Sequence, residues 1–253
     1  MRRIAVVVPC FNEERRLDIG AFRRADLEGR ELELVFVDDG SRDGTRRVLE
    51  EIQAQRAGPT AIVVQEPNAG KAAAVRRGVL DALGRGPEAV GYWDADLATP
   101  FSELPAFVDV LEQHPEVDVV VGSRVKLMGR HIERRTVRHY LGRVFATAAS
   151  LALELPVYDT QCGAKLFRVT PATGQAFEPP FLARWVFDVE LLARMLAAHP
   201  GGPEAAAGSI YELPLGRWSD VHGSKVKPAD FVNAAFDLAK IRLRYRRQRT
   251  SRA

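Results

Sequence analysis

Cysteine is scarce in this chain. Cys10 and Cys162 stand far apart and outside any CxxC or Cys/His spacing, so neither a disulfide framework nor a zinc knuckle is implied. A reducing cytoplasm is the expected compartment. Long hydrophobic runs are missing too. The opening "MRRIAVVVPCFNEE" turns to charge after an apolar run of about 8 residues, too short for a signal-peptide core with its cleavage site. "VFATAASLALELPV" (144–157) falls short of the ~20 residues that span a bilayer, so no transmembrane anchor is expected. The first loop has no G-x-G-x-x-G turn, which argues against NAD or FAD. "PNAGKA" ends in Gly70-Lys71 like a phosphate loop, but position 65 is Gln and Ala72 follows the lysine, which excludes a Walker A loop. Helix-turn-helix, zinc-finger and RNP-like patterns are absent, so nucleic acid is not an expected partner.

What the chain does have is an alternation. With 253 residues, 46% hydrophobic and 27% charged, it reads as one sizeable globular α/β domain. "RIAVVVPCF", "LELVFVDDG", "AIVVQEP", "AVGYWDAD" and "VDVVVGSR" are nearly continuously apolar, as strands covered on both faces must be. "DGTRRVLEEIQAQR" and "AGKAAAVRRGVLDALGR" carry apolar residues at helical spacing between them. The pattern predicts an open, doubly wound, mostly parallel sheet, in which ligands bind outside the carboxyl ends of the strands. The polar clusters "PCFNEE", "DDGS", "PNAGK", "DAD" and "GSR" fall at those ends. Asn12, Asp39, Ser41 and Asp43 also suit helix N-caps, but five polar clusters on one rim favour a binding site.

Within "GYWDADLATP" the apolar run stops at Asp94 and Asp96. Residues two apart on a strand project to the same side, so two carboxylates there can hold a hard divalent cation, Mg²⁺ or Mn²⁺, completed by substrate phosphates. Alone the motif is also compatible with two solvated acids capping the next helix. Lys71, at the start of a predicted helix, is placed to meet an anion.

The segments "VVVPCFNEE", "VFVDDGSRDGT", "NAGKAAAVRRG", "DADLATP", "VVGSR", "DTQCGAKLF", "RWVFDVELL" and "GRWSDVHGSKV" occur in that order over roughly residues 4–227. In them the chain resembles the inverting family 2 glycosyltransferases of GT-A fold, a Rossmann-like α/β architecture with an open sheet flanked by helices. It is most similar to polyprenyl-phosphate sugar synthases, especially the dolichyl-phosphate glucosyltransferase branch. The resemblance implies a nucleotide-sugar donor, UDP-glucose favoured and GDP-mannose possible, and a polyprenyl phosphate acceptor. It assigns Pro9, Phe11, Glu13 and Asp38 to the nucleotide pocket, with Lys71 flanking it. Asp94 is the nucleotide-side acid and Asp96 the principal metal ligand. Mannosyl members carry a metal-binding glutamine where this chain has Ala98.

Arg124 and Arg138 match phosphate-clamping positions, and guanidinium forks suit a phosphate. A phosphomonoester is mostly dianionic at neutral pH and needs little help from a base. Asp159 is therefore expected to orient the site; with a hydroxyl acceptor, it or Asp188 would be the base. Arg217, Ser224 and Lys225 resemble a loop closing over the diphosphate.

The charge is uneven although the net value is only +3: "KLMGRHIERRTVRHYLGR" (126–143) and "KIRLRYRRQRTSRA" (240–253) are strongly basic. Residues 1–227 are read as the catalytic domain and 228–253 as a basic amphipathic helix suited to an anionic membrane surface, either that or a solvated face. The protein is expected to be cytoplasmic and peripherally attached to the membrane. Truncation after Lys240 is expected to spare nucleotide binding and abolish vesicle binding.

Overall fold

The structure is a computed structural model that describes residues 1–133, 136–220 and 228–250, and side chains outside 133–141, 203, 228–232 and 246–250. In chain order the elements are β1 (Arg3–Cys10), α1 (Ile19–Arg24), β2 (Glu31–Asp38), α2 (Thr45–Gln55), β3 (Thr60–Val64), α3 (Lys71–Leu83) and β4 (Ala89–Trp93). Then follow α4 (Leu104–Gln113), β5 (Val119–Ser123), β6 (His131–Glu133), α5 (Thr136–Leu153), β7 (Ala164–Arg168), α6 (Pro171–Phe177) and α7 (Phe187–Ala198). The chain continues through α8 (Gly202–Gly208), β8 (Ile210–Pro214), β9 (Arg217–Ser219) and α9 (Pro228–Thr250). Seven strands form one sheet in the order β3-β2-β1-β4-β7-β5-β8, and β6 pairs with β9 in a small second sheet.

The five predicted strands are present, and they share one direction. For β1, β2, β4 and β5 the near-continuous apolar character has the expected cause, whereas β3 is a half-exposed edge strand. Ile4, Val6 and Val8 of β1 enter a core with Phe22 of α1, Leu49 and Ile52 of α2 and Phe107 of α4. Ala5 and Val7, pointing the other way, enter a second core with α3, α5, α6, α7 and α9.

Two strands of the large sheet were not anticipated. β8 pairs parallel with β5 at the sheet edge, and β7 runs antiparallel between β4 and β5. The reversal of β7 matters for function. Trp93, the last residue of β4, lies opposite Ala164, the first of β7, so the residues entering β7 arrive at the same rim as the carboxyl ends of the parallel strands.

α9 packs against α7 and α5. Ala234, Leu238, Ile241 and Tyr245, spaced four, three and four apart, are buried there, while Phe236 and Leu243 are exposed. The helix is thus part of the core on one face. This alters the truncation expected from the sequence, because cutting after Lys240 removes Ile241 and Tyr245 from a packed interface. Among the described residues no helix is long and apolar enough to cross a membrane.

Candidate active site

β4 is wholly buried and stops at Trp93. Asp94 and Asp96 are therefore carried by a turn, not by strand alternation, which corrects the geometric route but leaves both acids on one cleft. The turn is closed by Leu97 N–H donating to the Asp94 carbonyl (3.1 Å), by Ala98 N–H donating to Asp96 Oδ1 (3.1 Å) and by the Trp93 indole N–H donating to the Thr99 carbonyl (2.7 Å). Leu97 is left-handed, with φ 49°, a conformation that costs a non-glycine residue about 1–2 kcal/mol. Strain is tolerated here because the surrounding hydrogen bonds over-determine the turn.

Asp94 is also held from β7, its amide donating to the Gly163 carbonyl at 2.9 Å. A Cβ on residue 163 would stand 1.9 Å from Asp94 Oδ2, so this contact requires glycine. Gly163→Ala should displace the Asp94 carboxylate and weaken by roughly tenfold or more the binding of any cation or nucleotide that Asp94 holds, the scale of one lost charge-assisted contact. Calorimetry on the folded variant checks this, and wild-type affinity would show that Asp94 can move without consequence.

The two acids form the floor of a cleft of about 310 Å³. Pro9, Cys10, Phe11 and Glu13 line one wall, and Asp39, Asn68, Gly70, Lys71 and Ala74 line another. The loops after β1 and β2 are stitched together: Asn12 N–H donates to Ser41 Oγ (3.1 Å), Arg42 N–H to Asn12 Oδ1 (2.9 Å) and Glu13 N–H to Thr45 Oγ1 (2.7 Å). Glu13 is paired with Arg16. Asp38 ends β2 and is buried, with Oδ1 accepting from Ser41 N–H at 3.0 Å. The neighbouring Asp39 lines the cleft instead, its carboxylate accepting from Gln65 Nε2, Asn68 Nδ2, Ala69 N–H and Gly70 N–H at 2.7–2.9 Å. Asp39, Asn68 and Gly70 belong to the "DDGS" and "PNAGK" clusters expected on the rim, but were not singled out as site residues.

Lys71 begins α3 and places Nζ 2.5 Å from Asp94 Oδ1. Burial opposes its charge, but Asp94, Asp188 and Asp96 outweigh burial and raise its pKa. Asp96 is pushed up by burial and then by the Asp94 charge, with Ala98 N–H, Lys71 and Arg16 opposing. An acidic pair with an ammonium already drawn to it is a place where added positive charge is favourable. Two carboxylates suit a hard divalent cation whose remaining positions come from substrate oxygens and water. No third Asp, Glu, His or Cys joins them among the described residues.

Behind the floor, Lys165 is fully buried and donates to Asp188 Oδ1 (2.6 Å) and to the Cys162 carbonyl (2.7 Å), and the Tyr92 hydroxyl donates to the same Asp188 oxygen. Arg124 follows β5 and grips Asp159 with Nε at 2.6 Å and Nη2 at 2.7 Å. Its backbone N–H and that of Gln161 also donate to this carboxylate, and the guanidinium lies 5.4 Å from the Trp218 ring centre. Burial would lower the Arg124 pKa, but Asp159, then Cys162 and Asp94, hold it above its ordinary value. Arg124, Asp159 and the floor of the cleft thus feel one another's charge. Arg217 is exposed on β9, with its amide on Glu103 Oε1 at 3.1 Å, and Ser219 N–H donates to the Ala98 carbonyl at 3.0 Å, tying β9 to the acidic turn. The Arg138 side chain on α5, and Ser224 and Lys225, lie outside the described residues.

This arrangement has relatives. A dolichyl-phosphate beta-glucosyltransferase of Trichomonas vaginalis is 32% identical over 95% of this chain and 71% of its own length, and one of Mus musculus is 32% identical over 96% and 76%. An undecaprenyl-phosphate 4-deoxy-4-formamido-L-arabinose transferase of Pseudomonas fluorescens is 27% identical over 93% and 63%. Among solved structures, glucosyl-3-phosphoglycerate synthase of Mycobacterium tuberculosis, determined with Mn²⁺, UDP and glucosyl-3-phosphoglycerate, superposes with a TM-score of 0.68 at 18% identity, covering 96% of this chain and 80% of that one. That likeness establishes the fold as the expected GT-A type. The model of glycosyl transferase family 2 matches residues 5–173, and with it the chain belongs to glycosyl transferase family 2.

Proposed function

We propose that this glycosyltransferase moves glucose from UDP-glucose to a polyprenyl monophosphate, with Mg²⁺ or Mn²⁺ held by Asp94 and Asp96. The observation that carries the reading is the acidic turn with Lys71 on the floor of the cleft, in a chain aligned over 95–96% of its length with dolichyl-phosphate beta-glucosyltransferases. A structural neighbour solved with Mn²⁺ and UDP supports a divalent cation in general. Pro9, Phe11, Glu13 and Asp39, with the buried Asp38 behind them, frame the nucleoside. When bound, the cation offsets the charge that builds on the departing diphosphate. Lys71 adds positive charge from the helix side, and Arg217, Ser224 and Lys225 cover the diphosphate.

On the acceptor side, Arg124 and Arg138 hold the lipid phosphate, and Asp159 positions Arg124. Both Asp159 oxygens are already engaged, and Asp188 Oδ1 takes two donors. These bonds fit positioning roles for both acids, in keeping with a dianionic phosphate that attacks without a base. The donor is tested by calorimetry in Mn²⁺: UDP-glucose should bind more tightly than GDP-mannose, and the reverse order would replace the donor.

The carrier resides in a membrane, and the basic C-terminal helix brings the chain to its anionic surface. Exposed Lys240 and Arg244 flank the exposed Leu243. Lys240→Glu with Arg244→Glu should weaken binding to anionic vesicles, each lost cation being worth about 1 kcal/mol at low salt. Sedimentation with vesicles reads this, and full-length protein that ignores them would assign the helix to the fold alone.

A further inference from the structure

Resting on a nucleoside diphosphate in the cleft, we infer that Arg184 is a further ligand of that diphosphate, delivered from the loop between α6 and α7. Its Nη2 donates to the Ala69 carbonyl at 3.2 Å and lies 3.3 Å from where a Gly70 Cβ would stand. Ala69 and Gly70 immediately precede Lys71, and their amides hold Asp39. The guanidinium is therefore at the cleft rim beside the residue that touches Asp94.

Its bonding leaves capacity for a ligand. A guanidinium has five N–H donors, and Arg184 is exposed with that single protein hydrogen bond and no carboxylate partner among the described residues. Arg16 and Arg124, by contrast, are each gripped in bidentate fashion by an acid. The cleft lining holds four acids, Glu13, Asp39, Asp94 and Asp96, against one cation, Lys71, already engaged by Asp94. Beyond the proposed divalent cation, a diphosphate entering there meets no positive charge in the lining that is not already paired with an acid.

The exposed arginine also stands on a rigid base. Glu190 Oε2 accepts from Leu182 N–H (2.8 Å) and Ala183 N–H (3.0 Å), the two residues before Arg184. Arg194 donates to the carbonyls of Pro179 (2.6 Å) and Pro180 (2.7 Å) and to Glu190 Oε1 (2.7 Å), and the Tyr245 hydroxyl of α9 donates to the same oxygen at 3.0 Å. The loop is thus fixed up to the residue that reaches the rim, and bidentate phosphate recognition is served by such pre-organisation.

Calorimetry on the full chain with Mn²⁺, using UDP, GDP and the free nucleosides, tests the assignment. Arg184→Ala should weaken the preferred diphosphate about tenfold to a hundredfold, leave the matching nucleoside and the melting temperature unchanged, and be partly rescued by Arg184→Lys. Unchanged diphosphate affinity, an equal loss for the nucleoside, or a rise confined to the acceptor KM would overturn it. Wild-type protein that prefers GDP would sink the UDP donor while leaving the Arg184 contrast to be decided on GDP. Wild-type protein that binds no diphosphate would sink both.

Discussion

Asp96→Asn should lower turnover by about 10² to 10³, the loss typical of a group that stabilises transition-state charge, while the fold survives. The amide oxygen can still accept from Ala98 N–H, so the turn around Leu97 is preserved and only the charge is removed. The same variant carries a stability signature of opposite sign. Burial and then Asp94 raise the Asp96 pKa, so its ionisation costs the folded state. That cost is absent below the ordinary carboxylate range, grows as pH rises towards the raised pKa and is fully present at neutral pH. Metal-free Asp96→Asn should therefore melt no lower than wild type at pH 7, and any advantage should vanish in acid. A folded variant with near-wild-type turnover that still requires metal would take the cation away from this residue.

The second large effect is expected at Arg124. Its side chain and that of Asp159 are 16% and 8% exposed, and removing one member of a buried pair costs about 3–5 kcal/mol because the other charge is left without its partner. Arg124→Ala should thus be strongly destabilised in urea melts, whatever it does to catalysis. Arg124→Ala with Asp159→Asn removes the uncompensated charge while an amide oxygen can still accept from the Arg124 and Gln161 amides, and should recover part of that loss. In this folded double variant the acceptor KM should remain high with the donor KM little changed. A normal acceptor KM there would mean that Arg124 serves only to neutralise Asp159.

Most of the parallel half of the fold was legible, since four buried strands and the half-buried edge strand β3 announce themselves by nearly continuous apolar runs. β7 was not, for a physical reason. "AKLFR" carries Lys165 as its second residue, and a lysine reads as polar until the fold supplies Asp188 to pair it. β8, "IYELP", is an only partly buried edge strand with Glu212 taken up by the Tyr158 and Asp159 amides. The acids of "DAD" were found by type and position, although a turn and not the strand pleat aims them. Arg184 opens the segment "RWVFDVELL", but no role could be read for it there, because its meeting with Ala69 depends on how the α6–α7 loop is tied down.

The C-terminal helix shows the same limit from the other side. Its basic character and apolar residues left open whether the apolar stripe meets the membrane or the domain; Ile241 and Tyr245 are buried against the domain, and Tyr245 reaches the network beneath Arg184. Surface charge reversal therefore separates location from chemistry where truncation would not.

The central claim is tested most directly by incubating the full chain with UDP-[¹⁴C]glucose, a polyprenyl phosphate and Mn²⁺ or Mg²⁺, then extracting into organic solvent. Label should enter the organic phase only with carrier and cation present, and GDP-[¹⁴C]mannose should leave it empty. Label that stays in water as free glucose or on a hydroxyl acceptor, or that enters the lipid only from GDP-mannose, would contradict the account.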